Sequence, residues 1–131
     1  MKSIKIFFIY LVSSILVFAV ALNSEAKSSL RTVKCDESKM IDVFIKPNFG
    51  TIINFPVKPD NVVLGGPRQF AIEYIKNDLA LTALSSTANT NLFVYLLGRR
   101  CGFHLITSVS QFDNFVQVRD PEETKIKVPF E

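Results

Sequence analysis

The chain has 131 residues, 48% of them hydrophobic and 21% charged, with a formal net charge of +3. A chain of this length makes one modest domain. Its cations are scattered and form no run that would track a phosphate backbone, which argues against a nucleic-acid-binding protein.

The opening residues have the three parts of a secretory signal peptide. Lys2 and Lys5 form a short positive region, and an apolar stretch runs from Ile6 to Leu22, interrupted only by Ser13 and Ser14. Asn23-Ser24-Glu25-Ala26 then places small residues where signal peptidase needs them for a cut after Ala26. A membrane-spanning helix needs about 20 apolar residues. The stretch is shorter than that and leads into a cleavage site, so it reads as a removed leader rather than an anchor. Lipidation would need a cysteine directly after the apolar stretch, and Cys35, preceded by Thr32-Val33-Lys34, lies too far downstream. The expectation is an exported, periplasmic protein without a stable membrane anchor, with association to the outer membrane through partners. Loss of Lys2, Lys5 and Glu25 leaves it weakly basic.

Residues 27–38 are polar and aperiodic and read as a leader or loosely held arm. Short strands separated by turns follow, the pattern of an all-β sandwich or barrel. Met40–Ile45 is the first candidate, and Lys46-Pro47-Asn48-Phe49-Gly50 the turn after it. In 51–55, Thr51, Ile53 and Phe55 share one face. Pro56 and Pro59 end ladder pairing, since proline has no N–H to donate. Asn61–Leu64 is short and runs into Gly65-Gly66-Pro67, a strong turn. Residues 69–75 alternate cleanly, with Phe70, Ile72 and Tyr74 on one face. Asn77-Asp78 turns the chain into 79–84, making a hairpin; a helix over 78–88 is too short to compete. After a polar loop at 85–90, residues 91–97 are apolar on both faces, as in a strand central in a sandwich or covered on both sides. Gly98-Arg99-Arg100 reads as a turn, 101–107 as a strand with Cys101, Phe103 and Leu105 on one face, and Phe115–Arg119 as the last strand. The domains expected are a signal peptide at 1–26, a leader at 27–38, a small antiparallel β-sandwich at 39–120 and a tail or edge strand at 121–131.

Cys35 and Cys101 are the two cysteines. An even number in an exported chain suggests a disulfide, the alternative being two separate buried thiols. His104 is the one histidine, on the strand face opposite Cys101. A zinc site needs three or four converging ligands, which these residues do not make. Cys101 and His104, three apart on a strand, point to opposite faces and cannot form a nucleophile pair. Gly65-Gly66 lacks the following Lys-Ser/Thr of a phosphate loop. The sequence therefore carries no catalytic, cofactor or metal motif and reads as non-enzymatic. Arg99 and Arg100 are the candidate contact for an acidic partner surface, against the plainer reading of a solvated hairpin tip.

The block from Thr51 to Thr107 is similar to the N-terminal β-sandwich of the outer-membrane core-complex subunit of type IV secretion and conjugation systems, the TrbG/CagX family. It also resembles TraK-like pilus-assembly subunits. Thr51, Ile53, Phe55 and Pro56 match a "T-x-I-x-F-P" strand, Thr90, Asn91, Leu92 and Val94 a "TNL-x-V" strand, and Arg99 or Arg100 the arginine turn after it. The resemblance covers about half of the exported part. It implies a ring-forming periplasmic domain whose partners are other secretion-complex subunits or further copies of itself, and needs no cofactor. Family members carry a second, docking β-domain; this chain is expected to be a stand-alone version. The expected function is thus a structural or accessory part of a secretion, conjugation or pilus apparatus. The alternative is a stand-alone ligand-binding or inhibitor domain.

Overall fold

A computed structural model describes residues 30–119. The expected signal peptide and the expected tail or edge strand at 121–131 lie outside the described residues. The described part is all strand, turn and bend. In chain order the strands are β1 (Leu30–Lys34), β2 (Met40–Ile45), β3 (Gly50–Asn54), β4 (Asn61–Leu64), β5 (Phe70–Ile75), β6 (Asp78–Ala83), β7 (Asn89–Leu96), β8 (Arg99–Thr107) and β9 (Phe115–Arg119). They form a five-stranded sheet, β1-β9-β3-β6-β5, and a four-stranded sheet, β2-β8-β7-β4. The expected small β-sandwich is what the chain forms.

Its sheets are mixed rather than purely antiparallel. Only β5–β6 and β7–β8 are hairpins within one sheet; every other connection crosses to the opposite sheet. Neighbours in a sheet are therefore often distant in sequence, and β1–β9, β3–β9 and β2–β8 run parallel.

Period-two alternation sends one side chain of each pair inward. Val43 and Ile45, Thr51, Ile53 and Phe55, Leu79 and Leu81, Leu92, Val94 and Leu96, Cys101, Phe103 and Leu105, and Val116 and Val118 are all buried. Phe55 and Phe103 meet edge to face across the layers, with centroids 6.0 Å apart. Such a pair adds about 1 kcal/mol beyond its area.

Three further expectations need correction. Residues 30–34, read as part of a loose arm, form β1. It pairs with β9 along its whole length, and Cys35 just beyond it is buried and donates its N–H to the Arg119 carbonyl at 3.1 Å. Its five residues alternate too briefly, between polar neighbours, for the pattern to be seen. Next, of the two readings of β7 the central position holds and cover on both faces does not: Tyr95 is exposed and Phe93 half-buried on the outer side. The central position of β7 in its sheet, rather than burial of both faces, explains its apolar run. Finally, the β7–β8 turn is Leu97-Gly98, both at positive φ (50° and 72°), and Arg99 and Arg100 already belong to β8.

Candidate functional site

The sulfurs of Cys35 and Cys101 are bonded, with the two Cα atoms 5.4 Å apart. The bridge ties the end of β1, in one sheet, to the start of β8, in the other. A second link closes the same side. Arg31 donates from Nε and Nη2 to the two carboxylate oxygens of Asp113, each at 3.0 Å, and from Nη2 to the Asp42 carbonyl of β2. Asp113 also accepts the Phe44 N–H at 2.9 Å, while its own carbonyl accepts the buried Thr51 hydroxyl at 2.7 Å. Neither Arg31 nor Asp113 stands out in the sequence, because their partners come together only when the β8–β9 loop folds over β2 and β3.

Among the described residues the opposite side has no such closure. There β4 and β5 are the edge strands, and their inward-facing Val62, Leu64 and Ile72 are only half-buried. Tyr74, on the same inward face of β5, is 65% exposed. Lys76-Asn77 joins β5 to β6 as a two-residue hairpin loop, so Ile75 and Asp78 form the bonded pair beside the turn. Alternation then directs the N–H and C=O groups of Phe70, Ile72 and Tyr74 away from β6. Among the described residues no backbone hydrogen bond reaches them.

Arg99 and Arg100 do not form one patch. Arg99 shares the inward parity of Cys101, is half-buried and pairs with Leu96; Arg100 lies on the outer face opposite Tyr95. The Arg100 N–H donates to the Glu37 carboxylate at 3.1 Å.

His104 lies on the outer face of the four-stranded sheet, in register between Asp42 and Asn91. Its Nε2 is 2.7 Å from Asn89 Oδ1 and its Nδ1 is 3.4 Å from Asp42 Oδ1. Both ring nitrogens thus have an acceptor beside them, and among the described residues no hydroxyl or thiol bonds to the ring. His104 borders a shallow groove of about 500 Å³, lined also by Gly65, Gly66, Gln69, Asn89, Thr90 and Asn91. Gly65 allows the β4–β5 loop to pass close to β7, since a Cβ there would collide with Asn91 Oδ1. The groove offers amide, hydroxyl and imidazole groups but no cluster of carboxylates. Among the described residues no three His, Cys, Asp or Glu side chains converge on a point that could hold a metal ion.

The described residues define a disulfide-linked β-sandwich with one side closed and, among these residues, one side open. No protein-family model matches the chain. No curated sequence is significantly similar to it.

Proposed function

We propose that this protein is a non-enzymatic structural or accessory component of an exported assembly of the type IV secretion, conjugation or pilus kind, and that it acts by protein contact. The observation that carries the reading is the open edge of β5. A partner's extended segment adds to such an edge through main-chain hydrogen bonds, while its alternate side chains enter the half-buried margin beside Ile72 and Tyr74. The disulfide fits the periplasm, an oxidising compartment where such bonds persist. The segment resemblance around Thr51–Pro56 and Thr90–Val94 supplies the secretion-system context.

Tyr74→Pro tests it. Proline removes an outward N–H without touching the bonded Glu73–Ala80 pair. Cross-linking in cells should trap the wild-type protein in a large complex and should fail for Tyr74→Pro, with the fold retained. A strictly monomeric wild-type protein with no cross-linked partner overturns the proposal. That result would favour the second reading, a stand-alone ligand-binding domain, for which the polar groove beside His104 is the supporting observation.

A further inference from the structure

The strand registers gather four connections at one end of the sandwich. Ile45 pairs with Thr107, and Gly50 with Thr82, so the β2–β3, β6–β7 and β8–β9 loops emerge together. Leu64 pairs with Leu92 near the start of β7, which brings the β4–β5 loop to the same end. These tips carry exposed apolar side chains: Phe49, Leu84, Phe112 and Val109, the last 72% exposed. The Phe49 and Phe112 rings lie 6.4 Å apart, and the Lys46 ammonium sits over both, at 4.5 and 4.9 Å from their centroids. Arg68 adds a second cation from the β4–β5 loop. Among the described residues of these loops Asp113 is the one carboxylate, and Arg31 neutralises it.

We infer that this end of the molecule associates reversibly with the surface of an anionic lipid bilayer. Surface-seated proteins combine an apolar part at the acyl boundary with cations at the headgroup level, and their binding sums buried apolar area and electrostatic attraction. Here the two kinds of group are stacked. The rings of Phe49 and Phe112 supply the apolar part, and Lys46 covers them with a charge on a flexible stem that can reach a headgroup phosphate. The apolar groups come from three loops, Phe49 from β2–β3, Leu84 from β6–β7, and Val109 and Phe112 from β8–β9, so one surface can seat all three. An unpaired carboxylate would oppose an anionic surface, and the one in these loops is held by Arg31.

The test is flotation of the exported protein with vesicles of phosphatidylglycerol and phosphatidylcholine, and with phosphatidylcholine alone. Binding is expected on the anionic vesicles, falling with salt and weak on neutral ones. Lys46→Glu should lower the partition coefficient about tenfold or more, given the reversed charge at the surface. Phe49→Ser with Phe112→Ser should lower it similarly. Val109→Ser, at a position 72% exposed, should lower it by a smaller factor without risk to the fold. Leu97→Asn, at the opposite end, should bind as wild type. Absence of wild-type binding to anionic vesicles overturns the inference, as does full binding by the Phe49/Phe112 variant or equal binding to neutral vesicles. The outcome is independent of Tyr74→Pro, which alters a different edge.

Discussion

Replacing both bridged cysteines by alanine is the most direct probe of the closed side. The bridge spans 66 residues of sequence. In the chain-entropy account, opening a loop of that size restores roughly 15 cal/mol/K to the unfolded chain, or about 4 kcal/mol at 25 °C. Cys35 and Cys101 are both buried, so the lost sulfur packing adds about 1 kcal/mol. A domain of this size has a total stability of about 5–15 kcal/mol, so the loss is a large share of the whole. The midpoint of thermal unfolding should fall by roughly 15–30 °C. Urea titration of wild type and the Cys35→Ala/Cys101→Ala variant, followed by circular dichroism, gives both the loss and its origin. The denaturant slope should rise, because an unfolded chain freed of the bridge exposes more surface. A loss below about 1.5 kcal/mol with an unchanged slope would refute the reasoning. It would mean that the unfolded chain stays as compact without the bridge as with it.

Asp113→Ala should cost about 2–3 kcal/mol in urea unfolding, because it removes the acceptor for both Arg31 nitrogens and strands the Phe44 N–H. Arg31→Met should cost less, since it leaves the Phe44 hydrogen bond intact; equal losses would show that the Phe44 contact contributes nothing. Leu97→Asn should raise stability by about 1 kcal/mol, because Leu97 holds a left-handed conformation (φ 50°) ahead of Gly98 and Asn-Gly suits such a hairpin turn; a fall in the melting midpoint would contradict this. Hydrogen bonds from the Ser38 hydroxyl, then the Ser38 N–H, hold the Asp36 carboxyl below its ordinary value, with Lys39 assisting. Such a depressed group stabilises the fold above the usual carboxylate range and loses that contribution as pH falls through its lowered value. Ser38→Ala should move the NMR titration of Asp36 upward, and an unmoved titration would rule out the hydroxyl as the cause.

The strands legible in the sequence were those with a long alternation or a hard boundary. Phe70–Ile75 alternates over its whole length, and Asn61–Leu64 lies between Pro59 and Gly65-Gly66-Pro67. Cys101, Phe103 and Leu105 were legible as one inward face for the same reason. What could not be read was set by tertiary pairing. β1 is short and polar at alternate positions, and it is a strand because β9 and the Cys35 bridge hold it. Arg99 and Arg100 looked like a turn because Gly98 suggested one centred there; the left-handed Leu97 shifts the turn by a residue and sends the two arginines to opposite faces. The groove beside His104 brings together Gly65, Asn89 and His104 from three separate parts of the chain, and no spacing along the sequence announces it.

The placing of the closures bears on which edge can recruit a partner. Adding a strand costs the ordering of whatever was mobile before binding, so an edge already fixed in its extended form binds best. β1 is fixed, but Arg31, Asp113 and the cystine cross from its sheet to the other and close that side. β4 has only four residues, set between Pro59 and Pro67, which limits the ladder it can offer. β5 pairs with β6 through six residues and a two-residue loop, so its backbone is held extended without help from a partner. It carries a single charge, Glu73, and no proline, so it lacks the usual devices that discourage pairing at an exposed edge. An edge that is preorganised and undefended in this way is retained at the risk of aggregation, and that risk is avoided when a partner strand covers it.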